Sequence, residues 1–332
     1  MQFSLAASPV ERRADELLRQ PEALRMRRRS VLLIGGCGYI GSYLYRRLNG
    51  DARTVEVCDL GWRDNPGQIP VLGIDYADLD AATIARFDAI LWFAGHSSVQ
   101  HALADPRGAL HNNCLNLYAL ASRLAPQQIL VYASTASLYS KASSDRLDRW
   151  GDLGLAGATF ALAEDSISEV PATNAYDVSK FAFDYLCQNF LKNTYGLRMG
   201  TLAGFSLNLR PELIFNAMNL SARREGVVHV RNAEAWRTIL FLDDLWIFIR
   251  KILEGGVSPG IYNLGSISTP IGELASRIAQ VWGAQIHDDG KAPGYSFRMD
   301  CSRMQAVCGS LLTERSLEEE CRAFIRLVEV SA

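Results

Sequence analysis

The stretch Val31–Leu44, VLLIGGCGYIGSYL, constrains this chain more than any other. Four apolar residues lead into Gly35, Gly38 and Gly41, spaced three apart, before an apolar-rich run resumes. A buried strand that breaks into glycines and then starts a helix is what a phosphate-binding turn requires. Gly35 permits the tight turn, a residue without Cβ lets the backbone approach a pyrophosphate, and Gly41 lets the helix lie against the strand. The free N–H groups and dipole of the helix start then face the anion. Glycine-rich turns are common, so the signal gains weight from Asp59, which ends the second apolar run 18 residues after Gly41. Taken alone, Asp59 is a turn residue or an acceptor for an adenosine ribose. A carboxylate there repels a 2′-phosphate and favours NAD over NADP.

From Ser30 onward the pattern alternates. Apolar strands are expected at 31–34, 54–60, 88–95, 128–135 and 198–205. Helices are expected at 41–48, 107–125 and 174–196, the last closed by Gly196. A third strand is expected ahead of GIDYADL, bringing Asp75 and Tyr76 towards an adenine edge. Strands alternating with helices argue for an α/β fold with a parallel sheet covered on both faces. After Phe205 the alternation becomes irregular, although residues 239–265 still look like a helix and strand returning to the sheet. The expected organisation is an N-terminal extension (1–29), a dinucleotide-binding domain (30–205) and a smaller substrate-binding domain (206–332).

With 332 residues, 48% of them hydrophobic, the chain can bury a large core. A formal net charge of -2 provides no field that would call for nucleic acid or an anionic membrane. No apolar run approaches the roughly 20 residues that span a bilayer. Seven scattered cysteines show no metal-ligand spacing, and their odd count suits a reducing, cytoplasmic setting. The segment ASPVERRADELLRQ reads as a helical extension, with Ser8 as N-cap and Glu11 closing a capping box, and is followed by the basic RMRRRS. It lacks the apolar centre of a secretory signal.

Tyr176 and Lys180 are four residues apart, so on a helix they share a face. A neighbouring ammonium favours the phenolate and would bring the phenol down from about 10, making a general base for an alcohol. Ser134 and Thr135 end the strand that should open into the same crevice, where a hydroxyl can share the proton or hold a substrate oxygen.

In order and separation, these features resemble the extended short-chain dehydrogenase/reductases, in the branch of nucleotide-sugar epimerases and dehydratases. The resemblance runs over about residues 30–330. GGCGYIG, with Tyr39 and Ile40 inside it, is similar to the family's GGAGYIG. FAG (Phe93, Ala94, Gly95), DPRGALHNNCLN with Asn113, and YDVSK are also similar to family segments. The resemblance implies a Rossmann-type doubly wound parallel sheet, NAD as cofactor, Tyr176, Lys180 and Thr135 as catalytic residues, and a homodimer pairing the helices at 107–125 and 174–196. WRTILFLDDL implies Arg237 as a diphosphate contact and Asp243 as a structural acid; LNLRPELIFNAM implies Asn216 at the diphosphate with Arg210 near the substrate. His96 stands beside the expected substrate position, as a contact or as a loop histidine.

The departures bear on the reaction. VYG is replaced by LYS (138–140), an asparagine by Thr201, and the late RxGD motif is degraded, leaving Lys291 or Arg298 as substitutes for its clamp. Dehydratases of this family carry an Asp-Glu pair after the catalytic threonine, where this chain has Ala136 and Ser137. The expected activity is therefore NAD-dependent epimerisation of a nucleotide-diphosphate sugar through oxidation at C4. A 4-ketosugar reductase and a non-catalytic dinucleotide-binding scaffold are the alternatives.

Overall fold

In a computed structural model of the chain, the described residues are 29–51, 54–62, 64–140, 161–165, 174–292, 294–312 and 315–331. The expected N-terminal helix and the first four residues of its basic exit lie outside them.

The first half runs Ser30–Ile34 (β1), Tyr39–Asp51 (α1), Thr54–Cys58 (β2), Ala81–Ala85 (α2), Ala89–Trp92 (β3), Val99–Ala104 (α3), Pro106–Leu110 (α4), a π-helical turn His111–Leu115, Asn116–Ala121 (α5), Ile129–Thr135 (β4), Ala175–Phe190 (α6) and Thr194–Met199 (β5). The second half runs Thr201–Ala203 (β6), Ile214–Glu225 (α7), Val227–Val230 (β7), Trp236–Phe241 (β8), Leu242–Leu253 (α8), Gly260–Leu264 (β9), Ile267–Pro270 (β10), Ile271–Trp282 (α9), Gln285–Asp288 (β11), Ser302–Cys308 (α10) and Leu317–Ser331 (α11).

Six parallel strands form the main sheet in the order β2-β1-β3-β4-β5-β9. Side chains alternate across its strands, and both faces are buried. Val31, Leu33, Leu91 and Val131 join α1 and α8 in one core; Leu32, Ile34, Ile90, Trp92, Leu130 and Tyr132 join α5 and α6 in another. Truncating a fully buried leucine such as Leu32 or Leu33 would cost about 2–5 kcal/mol. The architecture is α/β, a Rossmann-type doubly wound sheet with a smaller C-terminal lobe. That lobe has its own core, formed by α7, α9, α11 and the sheet β10-β8-β6. Of residues 239–265, only β9 enters the main sheet; β8 pairs with β6 and β10, while α8 covers the large sheet.

Four sequence expectations change. Among the described residues no third strand precedes Asp75: Leu72 N–H donates to Val57 O at 2.8 Å, a single bond without a ladder. The helix expected over 107–125 is three helical pieces, with a π turn in the middle. The strand expected over 198–205 is two strands in different sheets. Gly196 does not close a helix. The helix ends at Phe190, Asn193 makes the turn at φ +51°, and Gly196 lies inside β5. A Cβ at Gly196 would come within 2.4 Å of the Tyr132 hydroxyl, so this glycine makes room for a neighbouring strand's tyrosine.

The two lobes are fastened beside the glycine turn. Tyr39 donates to Gly204 O at 2.6 Å, Ser42 and Ser206 share a 2.6 Å hydrogen bond, and Asn208 donates to Cys37 O at 2.8 Å. Asp243 collects Tyr43, Arg47 and Arg315. The two guanidiniums outweigh burial and hold its carboxyl below the usual range.

Candidate active site

The glycine turn has one open side. Gly35 sits at φ +86°, and a Cβ there would meet the Ala94 backbone nitrogen at 2.7 Å; one on Gly41 would strike Gly35 O at 2.0 Å. These two close the turn against β3 and against itself. A Cβ on Gly38 would meet only Gly35 O, at 3.3 Å, so the backbone can be approached from outside there. The helix begins at Tyr39, leaving the N–H groups of Tyr39 and Ile40 in its unsatisfied first turn. The Tyr39 ring turns away, 7% exposed, to hold Gly204, so this residue can offer a ligand only its backbone.

Asp59 follows β2 and accepts from Cys37 N–H and Gly61 N–H, both at 2.9 Å, through different oxygens. Each oxygen keeps a lone pair, enough for a ribose diol. Asp75 caps the short helical turn Tyr76–Asp78 by accepting from Ala77 N–H at 2.9 Å, and remains partly exposed. Tyr76 is corrected from ligand contact to support: it is 4% exposed, stands edge-on to Trp92, and donates to Asn112 O at 2.5 Å. It therefore steadies the π turn that carries Asn113.

At the strand ends the remaining groups converge. A Cβ on Gly95 would lie 2.5 Å from Asn113 Oδ1 and 2.9 Å from Lys180 Nζ, so Gly95, at the end of the Phe93–Gly95 segment, passes directly beside both side chains. Asn113 is fully buried; its amide donates to Ser179 Oγ at 3.0 Å and His96 O at 3.3 Å, and Oδ1 has no partner among the described residues. Lys180 donates to Ala133 O at 2.8 Å and stands 4.6 Å from the Trp92 ring and 5.9 Å from the Tyr176 ring. Burial brings its ammonium down to about 7, with only Asp184 opposing. The expected lowering of Tyr176 is not found. Burial pushes the phenol up to about 12, against the neighbouring Thr135 hydroxyl and the charge of Arg210. The ammonium faces the ring rather than the hydroxyl.

Thr135 and Ser134 part company. Neighbours on a strand point to opposite faces. Thr135 reaches Tyr176, whereas Ser134, 2% exposed, donates to Asp184 at 3.0 Å beneath the sheet. Ser134 is thus corrected from substrate contact to part of the buried scaffold.

On the outer side, His96 lies 3.8 Å from Asp105 and 3.5 Å from the Asn112 amide, a quarter exposed. Arg210 pairs with Glu212 at 2.6 Å and is near enough to Tyr176 to favour its phenolate. Asn216 is corrected as well. It is fully buried, accepting from Gly204 N–H and donating to Arg210 O, both at 3.0 Å, so it shapes the loop that presents Arg210. Arg237 donates to Trp236 O at 3.0 Å, lies over Phe297, and has no carboxylate partner among the described residues. Burial lowers it to about 10. Arg298 lies over Trp236, and Lys291 is exposed.

Two residues escaped the sequence reading. Tyr295 lies near enough to Tyr176, Asp177 and Arg237 to interact with them electrostatically. Asp177, 4% exposed, receives the Ser137 hydroxyl, which is itself 2.9 Å from Thr135 Oγ1. Only its place beside Tyr176 in YDVSK could have drawn attention to it.

The open glycine turn, the half-satisfied Asp59 and the unpartnered Asn113 oxygen beside a buried ammonium fit a dinucleotide laid across the strand ends. Relatives agree. A probable UDP-arabinose 4-epimerase of Arabidopsis thaliana is 32% identical over 33% of this chain and 32% of its own length. The match thus spans about a third of that relative. A dTDP-glucose 4,6-dehydratase of Neisseria meningitidis is 27% identical over 71% of each chain. Among solved structures, a Thermus thermophilus UDP-glucose 4-epimerase complex with NAD overlays with a TM-score of 0.70 at 20% identity, covering 91% of this chain and all of that one. MoeE5 in complex with UDP-glucose and NAD gives 0.71 at 21% identity, covering 91% and 99%. The sequence pattern of one family spans residues 31–265, from the first strand through the last of the main sheet, and by that match the chain belongs to the NAD dependent epimerase/dehydratase family.

Proposed function

We propose that this chain epimerises a nucleotide-diphosphate sugar by transient oxidation at C4. The supporting observation is Thr135 at the end of β4, followed by Ala136 and Ser137 rather than by acids, with Tyr176 at the start of α6 close enough to be influenced by it. Expelling water requires an acid that reaches the substrate, and Asp177, 4% exposed, is engaged by Ser137 and Asn174 instead.

NAD, when bound, supplies reversible hydride acceptance. The first turn of α1 would hold its pyrophosphate, Asp59 the adenosine ribose, and Lys180 with Asn113 the nicotinamide side. Tyr176 and Thr135 exchange the proton of the sugar hydroxyl. Arg210, Arg237 and Tyr295 gather the diphosphate and keep it fixed while the sugar turns over.

The test is a panel of nucleotide sugars incubated with the purified protein, read by NMR of the product and by absorbance of reduced cofactor. Inversion at one carbon without net cofactor consumption is expected; stoichiometric oxidation of reduced cofactor, or a dehydrated product, would overturn the reading. Tyr176→Phe should lower turnover by about 10²–10⁴-fold.

We also propose a two-fold dimer through the helix layer α3–α6. Its exposed face carries Leu103, Leu110, Leu115, Val178, Tyr185 and Phe190, which water would otherwise wet. Sedimentation should show a dimer that Tyr185→Glu dissociates; a monomeric wild type would refute it.

A further inference from the structure

Asp177 is a buried carboxylate with no ion pair among the described residues. Such a charge is costly unless hydrogen bonds compensate it. Two side-chain donors reach it: Asn174 Nδ2 at 2.6 Å on Oδ2, and the Ser137 hydroxyl at 2.5 Å on Oδ1. Asn174 also caps α6 by accepting from Asp177 N–H at 2.9 Å, which fixes the orientation of its amide.

These contacts assign a direction to every proton in the row. Ser137 has one proton, and it goes to Asp177. Ser137 Oγ must therefore accept at its 2.9 Å contact with Thr135, so Thr135 donates there. Thr135 Oγ1 takes the Ser137 N–H at 3.2 Å on one side, leaving a single acceptor position for the Tyr176 phenol or a substrate hydroxyl. The row therefore runs one way, from the crevice to the buried carboxylate.

We propose that Asp177 is a proton-holding and positioning residue behind Thr135, a step that rests on the sugar-oxidation reading above. When the sugar hydroxyl is oxidised, its proton passes to Tyr176, the Tyr176 proton to Thr135 Oγ1, the Thr135 proton to Ser137, and the Ser137 proton to the Asp177 carboxylate. The reverse sequence returns one proton to the same oxygen, so none is gained or lost over a cycle. The titratable groups facing Asp177 are the phenols of Tyr176, on its own helix, and Tyr295, from the opposite segment. Burial raises the Asp177 carboxyl against the bonds from Ser137 and Asn174, which makes it a better proton store than an ordinary aspartate.

The test compares the wild type with Asp177→Asn, Ser137→Ala, Ser137→Thr and the double variant Asp177→Asn/Ser137→Ala on a sugar the wild type turns over. Asp177→Asn and Ser137→Ala should each lower kcat about 10–100-fold with KM within about 3-fold. The double variant should be no worse than either single change, because one row is broken once or twice. Ser137→Thr, which keeps the hydroxyl, should restore turnover, and Asp177→Asn should lose the acidic limb of the pH profile. Wild-type kcat and profile in both single variants would overturn the proposal; if Asp177→Asn fails to fold, the Ser137→Ala and Ser137→Thr pair decides alone. A second readout needs no substrate. pH-difference infrared spectra should show a carboxyl band that Asp177→Asn removes and Ser137→Ala shifts; a band indifferent to Ser137→Ala refutes the row. Failure of the sugar panel with a shifting band would instead count against the epimerase reading alone.

Discussion

Helix α6 carries two buried aspartates seven residues apart, and they are treated in opposite ways. Asp184, 1% exposed, is matched on every side: Arg198 Nε at 2.8 Å, Tyr132 and Ser134 hydroxyls at 3.0 Å. Arg198 is itself completely buried, and it ties Tyr139 and the Glu164 carbonyl into the same network. Asp177, one end of the helix away, receives a hydroxyl and an amide but no cation. A fully compensated charge is held in one state and serves as scaffold. One compensated by a hydroxyl and an amide without a cation can change its protonation cheaply, and it lies at the end of β4, where Ser137 meets Thr135.

The largest break in this contrast comes from Arg198→Leu. It strips the buried Asp184 of its guanidinium partner, and should cost about 3–5 kcal/mol in denaturant unfolding, with most of the loss recovered when Asp184 is also made Leu. Next is Lys180→Met. The buried ammonium titrates near 7 when folded and near 10.4 when unfolded, so the unfolded chain binds more protons between those values. The stability of the ligand-free protein should therefore rise with pH across that window, by at most about 1.4 kcal/mol per pH unit, and Lys180→Met should flatten that slope in melting curves. Asp177→Asn should change stability at pH 7 by no more than about 1 kcal/mol. The raised Asp177 carboxyl makes the folded state bind more protons than the unfolded one, so its contribution grows as pH falls and is lost as pH rises through the folded value; the variant should lack this dependence. Smallest is Arg86→Ala, which removes an exposed bidentate pair with Glu56. Less than about 1 kcal/mol is expected, vanishing in high salt.

What the sequence disclosed, it disclosed through local constraint. Gly35, Gly38 and Gly41 have separate steric duties within seven residues, and Tyr176 and Lys180 share a face by helical period alone, so both motifs could be read without knowing what lies nearby. Ser134 and Thr135 look equivalent in a string; only the pairing of β4 on both sides decides which hydroxyl goes under the sheet. Gly196 announced a helix end because the sequence does not show Tyr132 pressing on it from the next strand. Asn216 carries the right chemistry for a phosphate, yet spends both ends of its amide on Gly204 and Arg210. The lowered phenol was inferred from spacing, but charge effects depend on direction: Lys180 faces the ring and Ala133 O, and desolvation outweighs the rest. Tyr295 and Asp177 were missed because Tyr295 lies more than a hundred residues from Tyr176, and Asp177 forty from Ser137.

The last strand of the main sheet has a bearing on how the molecule is made. β9 pairs with β5 along its length, yet Gly260 follows Met199 by some sixty residues. A ribosome adding about 5–20 residues per second would expose the bare rim of β5 for about 3 to 12 seconds before its cover is synthesised. Nascent chains halted shortly after residue 205 should hence be the ones that chaperones grip hardest, and the nucleotide-binding half cannot mature ahead of the half that follows it.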